Sequence, residues 1–228
     1  MVQEDPSESF FRLSPDRVLE AVEDAGFAPT GHCFALNALE NRVYDVRVDD
    51  PESGQRHLVV KFYRPGRWSR EAILEEHRML FALREAEIPV CVPLQLGDGE
   101  SLREALGIHY AVWPRTGGRS PDELDDDEVA VLGRLRARIH DTGESLELAH
   151  RRTLCADTVV YEALGVLERG DFLPPHCRGR SREAAVACAD LYEERARDVP
   201  LQPVHGACHG GTLLQSADGG AFRDVDAR

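Results

Sequence analysis

The chain has 228 residues, of which 42% are hydrophobic and 30% are charged, enough for two modest lobes or one large domain with a polar surface. Its formal net charge of −14 disfavours binding to nucleic acid and to anionic membranes. The six cysteines form no CxxC pair, the acidic start has no signal-peptide pattern, and no apolar run is long enough for a membrane span. These features favour a reduced cytoplasmic protein.

The sequence of the first half predicts a helix, three strands, a second helix and two further strands. Ser14-Pro15 is typical of the start of a helix that ends near Gly26, and Ser69 caps a second helix that runs to about Ala86. β-branched and aromatic runs between and after these helices predict five strands. They are Cys33–Leu39, Arg42–Val48, His57–Arg64, Val92–Leu96 and Ile108–Trp113.

The second half predicts helices that follow a linker at Pro114–Gly118. Ser120 and Glu123 have the spacing of a capping box, which predicts a helix that stops at His140 or Asp141, before Gly143. Two further helices and two short strands complete the pattern, at 158–169, 181–197, 212–215 and 221–225. This order favours a bilobal α+β protein with a cleft between the lobes.

One lysine and one glutamate are candidates for a charged pair. Lys61 lies in the middle of an apolar strand, where it either faces solvent or faces a cleft as a phosphate-binding lysine. The second role needs a carboxylate on the next helix. Glu76 lies on the apolar stripe of that helix, whereas Glu75 lies nearer its edge. Since a buried carboxylate needs a partner, we expect Glu76 to pair with Lys61; the alternative is a solvated Glu76 at the rim.

A glycine-rich segment near the carboxyl end has the spacing of a kinase catalytic loop. It runs from His205 to Thr212, and Asp224 follows twelve residues later on a strand. A kinase-like phosphotransferase needs a carboxylate that orients the acceptor hydroxyl, and an Asn and an Asp that hold Mg²⁺. Ala207 stands at the carboxylate position and Thr212 at the amide position, so only Asp224 keeps the expected residue type.

The same segment allows a second interpretation as a transition-metal site. His205, Cys208 and His209 are suitable ligands for zinc, but the sequence offers no evident fourth ligand nearby.

Short motifs along nearly the whole chain resemble one family. They are Leu39-Glu40-Asn41-Arg42-Val43-Tyr44, Val59-Val60-Lys61-Phe62-Tyr63-Arg64-Pro65, Arg67-Trp68, Ile73-Leu74-Glu75-Glu76-His77, Ile88-Pro89-Val90, Tyr110-Ala111-Val112-Trp113-Pro114, Gly117-Gly118-Arg119, Gly133-Arg134-Leu135, His205-Gly206-x-Cys208-His209 and Phe222-x-Asp224. In this order they resemble the bacterial stress response kinases of the aminoglycoside and choline phosphotransferase group.

This resemblance implies an α+β, bilobal, protein-kinase-like fold. Its N-lobe is an antiparallel sheet plus a helix at residues 1–113, its hinge is at 114–119, and its mostly helical C-lobe is at 120–228. The resemblance also implies ATP and Mg²⁺ as cofactors, a protein as substrate or partner, and phosphorylation of serine and threonine in stress survival.

Site residues follow from the same resemblance. Those implied to form the ATP site are Lys61, Glu76, Asn41, Arg42, Trp113 and Arg115, with Glu76 orienting Lys61. Lys61 would bind the phosphates, segment 40–44 would cover the nucleotide, and backbone groups at 113–116 would meet the adenine. Asp224 would bind Mg²⁺, with Asp226 as the alternative.

Three departures from the family pattern bear on the function of the chain, and three interpretations stay open. Ala207 replaces the catalytic Asp, Thr212 replaces the metal-binding Asn, and the chain ends at Arg228, so we expect a C-lobe without its final helices. The first interpretation is an impaired serine/threonine kinase; the others are a catalytically dead pseudokinase acting as an interaction module and a small-molecule phosphotransferase. The motif order favours a protein substrate, whereas Ala207 and Thr212 favour the pseudokinase.

Overall fold

Residues 6–49, 54, 56–121, 123–170, 172–206, 212–215 and 222–224 are described by a computed structural model of the chain. The chain forms two units, one from residues 1–150 with 203–228 and the other from residues 151–202. The lobe boundaries at 113 and 120 stay a prediction.

A five-stranded antiparallel sheet forms the centre of the first unit. Its strands are β1 (Pro29–Leu36), β2 (Arg42–Val48), β3 (His57–Phe62), β4 (Arg103–Ala105) and β5 (Ile108–Pro114). They lie in the order β1-β2-β3-β5-β4, so β3 occupies the middle of the sheet. Lys61 pairs with Val43 of β2 on one side and with Ala111 of β5 on the other.

The two faces of the sheet pack against different helices because side chains alternate along each strand. Helices α1 (Pro6–Phe11) and α2 (Pro15–Asp24) cover one face, where Val18, Val60 and Phe62 belong to one apolar cluster. Helix α3 (Arg70–Glu85) contributes Ile73 to a second cluster with Ala111 and Trp113. The predicted caps of α2 and α3 are confirmed, since the Ser14 and Ser69 side chains accept backbone N–H bonds.

Helix α4 (Asp126–Glu144) corrects two predictions. It begins at a capping box formed by Asp125 and Glu128, so the predicted start at Ser120 is wrong. It also continues through Gly143, where a Cβ atom would lie 3.1 Å from the Pro203 carbonyl oxygen. This glycine therefore permits a close backbone approach and does not end the helix.

The predicted strand at 92–96 is also wrong. In that segment the Leu94 N–H donates to the Val112 carbonyl and the Leu96 N–H to the Glu100 carbonyl, without a strand being formed. Pro93, which has no N–H group, interrupts the run. The short strand β4 was not predicted, and neither was α1.

A small hairpin near the carboxyl end joins β6 (Leu213–Gln215) to β7 (Phe222–Asp224), close to the predicted 212–215 and 221–225. Gln215 also exchanges backbone hydrogen bonds with Arg119, at 2.8 and 3.1 Å. The Gln215 side chain donates to Glu128 Oε1 at 2.8 Å. These bonds connect the hairpin to the start of α4.

The second unit is helical. A π-helical turn (Asp157–Tyr161) leads into α5 (Glu162–Arg169), and α6 (Pro175–Ala196) follows. These elements correspond to the helices predicted at 158–169 and 181–197, but α6 begins earlier, with Pro175 in its first turn. In the part of the chain that can be described, no helix combines the length and the apolar composition that a membrane crossing requires.

Candidate functional site

Lys61 and Glu76 form an ion pair on the α3 side of the sheet. Lys61 Nζ donates to Glu76 Oε1 at 3.3 Å, and the two side chains are 16% and 7% exposed. Strand alternation directs Lys61 towards the face that α3 covers, while its neighbours Val60 and Phe62 fill the opposite core. The pairing expected from the sequence is therefore present. Lys61 does not face solvent, and Glu76 is not solvated.

Two aromatic rings lie under the Lys61 ammonium group. Nζ is 4.8 Å from the centroid of Tyr63 and 5.7 Å from that of Trp113. A cation over a ring face is attracted by the ring quadrupole, so these rings hold the ammonium group in place together with Glu76. Both rings are largely buried.

The buried side chain of His77 contacts Tyr63, one of these two rings. His77 Nε2 lies 3.0 Å from the Tyr63 hydroxyl and Nδ1 lies 2.8 Å from Ser101 Oγ. Burial, and secondarily the charge of Lys61, lowers the pKa of His77 to about 3. The ring is therefore neutral near pH 7 and connects Tyr63 to the segment that precedes β4.

Glu75 is buried, contrary to its predicted place near the helix edge. Its Oε2 accepts the backbone N–H of His150 at 2.9 Å, and its Oε1 lies 2.9 Å from His150 Nδ1. Arg78 from the same helix donates to the Glu147 carbonyl. The two neighbouring glutamates therefore have different roles: Glu76 faces Lys61, and Glu75 fixes the segment after α4.

A further buried carboxylate lies in the sheet. Asp45 of β2 contacts His57 Nδ1 through Oδ1 at 2.8 Å and Arg115 Nη1 through Oδ2 at 3.3 Å. Arg115 follows β5, and its backbone N–H donates to the His57 carbonyl at 3.2 Å. Sequence reasoning missed Asp45, although an aspartate between the valines of a predicted strand is a usable signal, because such a charge needs a partner.

The loop between β1 and β2 carries Asn41, and Arg42 is the first residue of β2. Asn41 Oδ1 accepts the Arg64 N–H at 3.2 Å, and Arg42 donates to the Phe11 carbonyl at 3.3 Å. With α1, the loop lines a cleft of about 300 Å³. These contacts attach the loop to α1 and to the chain after β3.

The predicted catalytic segment is described only in part. Ala207, Cys208 and His209 lie outside the described residues, as does Asp226. Two of the three candidate ligands of the transition-metal site are therefore not described. Thr212 is buried next to β6, and the pairing of Leu213 with Asp224 places the backbone of the predicted metal residue on the neighbouring strand.

His205, which starts the segment, is buried and donates its backbone N–H to His140 Nε2 at 3.5 Å. Burial, with a smaller contribution from the charge of Arg136, lowers the pKa of His140 and so favours its neutral form. A neutral imidazole has one ring nitrogen that can accept this bond. Through His140, helix α4 therefore holds the first residue of this segment, His205.

Known proteins resemble the chain over most of its length. Residues 35–223 match the model of the phosphotransferase enzyme family. The chain is 32% identical, over 219 residues, to stress response kinase A of Escherichia coli and to the serine/threonine protein kinase RdoA of Salmonella typhimurium. Each match covers 96% of this chain but 65% of the relative, so the chain spans slightly less than two thirds of their length.

Solved structures show the same fold. An amicoumacin kinase in complex with AMP-PNP, Ca²⁺ and Ami superposes with a TM-score of 0.67 at 16% identity, over 92% of this chain and 63% of that one. At this identity the likeness concerns the fold alone. It confirms the predicted α+β, protein-kinase-like architecture with an antiparallel sheet and helices.

Proposed function

Because the chain belongs to the phosphotransferase enzyme family, we propose that it binds ATP on the face of the sheet that carries Lys61. The observation that carries this proposal is the ion pair of Lys61 with Glu76. In kinases a strand lysine held by a helix glutamate contacts the nucleotide phosphates. Here the pair lies over the rings of Tyr63 and Trp113, which limit the positions open to the ammonium group.

The composition of the chain supports a phosphate-binding role for this residue. Lys61 is the only lysine in the sequence, and all the others among its 27 Lys and Arg residues are arginines. An ammonium group is a compact point charge, whereas guanidinium is a broad planar fork, so the two are not interchangeable at a phosphate. The one lysine stands at the position paired with Glu76.

The reaction we propose transfers the γ-phosphoryl group of ATP to a serine or threonine hydroxyl of a protein. The bond between the γ-phosphorus and the oxygen bridging to the β-phosphate breaks, and a bond to the hydroxyl oxygen forms. ADP leaves with the bridging oxygen, and the hydroxyl proton passes to solvent. The name of the Salmonella relative, a serine/threonine protein kinase, supports a protein acceptor. We place the reaction in the cytoplasm as part of the proposal.

Mg²⁺ is the metal we propose, with Thr212 and Asp224 as the residues that would hold it. Both supply oxygen, the donor that Mg²⁺ prefers; Thr212 immediately precedes β6, and Asp224 lies on β7, which pairs with β6. When bound, the ion would neutralise charge on the β- and γ-phosphates. A threonine hydroxyl is a poorer ligand than an asparagine amide oxygen, so we expect weak metal binding.

A catalytically inactive module that binds a partner protein is the second candidate function. It is favoured by Ala207, which takes the sequence position of the expected catalytic Asp and has no carboxylate, and by Thr212. A positioned general base contributes about 10²–10⁴-fold to the rate, so its loss slows transfer strongly. ATP binding at Lys61 does not depend on that carboxylate.

Nucleotide binding is tested by thermal unfolding of the purified chain with ATP, with and without Mg²⁺. A ligand that binds only the folded chain raises Tm by mass action, so we expect ATP to raise it and Mg²⁺ to increase the rise. Lys61→Ala should abolish the rise. The matched control Arg12→Ala removes an exposed basic residue paired with Glu8 on α1 and should retain it. A cooperatively folded sample without any shift would contradict the proposed function.

Restoration of the two substituted positions separates an impaired kinase from an inactive module. We expect Ala207→Asp with Thr212→Asn to raise phosphoryl transfer at least about 100-fold over the unchanged chain, since a general base is returned. The assay uses labelled ATP with a serine/threonine peptide library, and with an aminoglycoside and choline as small-molecule acceptors. ATP binding without any gain in transfer would favour the module, and transfer only to a small molecule would correct the acceptor class.

A further inference from the structure

Asp45 is an acidic residue at a buried position in the sheet. It lies on β2, directly opposite Val59 of β3, and is 7% exposed. Residues directly opposite each other in a sheet share a face, so Asp45 faces the same side as Val59. Lys61 is two residues from Val59 on the same strand and therefore also faces that side. An apolar side chain at such a buried position is often as stabilising as a paired charge, or more so.

The contacts of Asp45 connect three strands at one end of the sheet. The carboxylate reaches His57 at the start of β3 and Arg115 just after β5. The backbone bond from Arg115 to His57 closes this group. The chain after β5 is therefore fixed by one acidic side chain as well as by strand pairing.

The remainder of Arg115 is accessible. Its side chain is 54% exposed, although the end that meets Asp45 is held by a carboxylate that is 9% exposed. A surface arginine loses side-chain conformational entropy when it binds a ligand. A contact that already orders the side chain in the free protein reduces this entropic cost of binding. Asp45 thus presents the guanidinium group in one orientation.

The group of Asp45, His57 and Arg115 lies some distance along the sheet from Lys61, where we propose that the phosphates bind. Lys61 lies opposite Ala111, and Arg115 is four residues further along, about 13 Å at the rise of a strand. This is comparable to the length of a nucleoside triphosphate. A nucleotide with its phosphates at Lys61 and its long axis along β5 would bring its base near Arg115.

We propose that Asp45 is a positioning residue for the base end of the nucleotide site, acting through Arg115 and His57. It holds the chain after β5 in the conformation that receives the base of ATP. This inference rests on the proposed function, since it requires a nucleotide at Lys61. It assigns recognition of the base to a side-chain network in addition to backbone groups.

Isothermal titration with two probes tests this inference. ATP reports on the whole site, and inorganic tripolyphosphate reports on the phosphate end alone. We expect Asp45→Asn to weaken ATP binding roughly tenfold while tripolyphosphate affinity stays within about twofold. Lys61→Ala should weaken both probes. The matched control Asp98→Asn removes an exposed aspartate paired with Arg103 and should change neither.

A second variant keeps the test decisive if Asp45→Asn fails to fold. Arg115→Met changes a largely exposed side chain and should give the same selective loss of ATP affinity. In the double variant the losses should not add, because Asp45 acts through Arg115. Additive losses, or equal weakening of both probes, would overturn the inference.

The outcomes also separate this inference from the proposed function. If the unchanged chain binds ATP and Asp45→Asn binds it equally well, Asp45 has no positioning role and the nucleotide site stands. If the unchanged, folded chain binds no ATP, the proposed function fails and the inference fails with it.

Discussion

Two neighbouring residues of α3 show how burial changes the chemistry of a side chain. Glu76 is held by Lys61, whereas His77 is enclosed between two hydroxyl groups, those of Tyr63 and Ser101. A hydroxyl can donate or accept, so either neutral tautomer of His77 is satisfied. The pKa of His77 falls because burial would leave the protonated ring without solvation, and secondarily because that ring would lie near the charge of Lys61.

The His77 pKa predicts a loss of stability in acid. Its ordinary value is 6.5 and its folded value is about 3. Between these values the unfolded chain binds a proton that the folded chain does not, so the free energy of unfolding falls as pH decreases below 6.5. The slope reaches at most about 1.4 kcal/mol per pH unit. Urea unfolding at pH 7, 6 and 5 measures it.

His77→Gln should remove this contribution to the pH dependence, and the exposed control His32→Gln should retain it. An unchanged acid slope in His77→Gln would assign the loss to other groups.

At the scale of elements, the start of α4 shows where local signals compete. Ser120 with Glu123 and Asp125 with Glu128 both have the capping-box spacing, and the sequence alone does not rank them. Tertiary contacts decide: Arg119 pairs with Gln215, which holds the chain extended there, and the Gln215 side chain binds Glu128. The helix therefore begins at the second signature.

Removal of this cap should destabilise the first unit. Asp125→Ala deletes the acceptor for the Glu128 N–H, and loss of such a cap costs about 1 kcal/mol. Glu123→Ala removes the residue that would cap a helix starting at Ser120, and its effect should stay below about 0.5 kcal/mol. Denaturant unfolding of both variants gives the two values. Equal losses would contradict the observed helix start.

Elements with strong local signals could be predicted from the sequence. Helix α2 with its serine cap and proline, strand β2, and helix α3 all agree closely with the prediction. The structure of residues 92–96 could not be predicted, because their composition is typical of a strand. Pro93 and the hydrogen bonds of Leu94 and Leu96 give this segment a different structure. The helix end predicted before Gly143 was wrong because the residue that Gly143 contacts, Pro203, is distant in the sequence.

At the scale of the whole molecule, the order of elements predicted the α+β architecture, and the ordered motifs predicted the family. The Lys61–Glu76 pair was predictable because each residue lies in an element with a clear apolar face. The group of Asp45, His57 and Arg115 was not, because it depends on the register of three strands. A shift of one residue would turn Asp45 to the other face of the sheet.

The single lysine has a consequence for proteolysis. A protease specific for lysine has one bond to cut in this chain, after Lys61, and that bond lies in the central strand of the sheet. A strand paired on both sides is not a substrate until the sheet opens. The cleavage rate therefore measures the opening of the sheet itself.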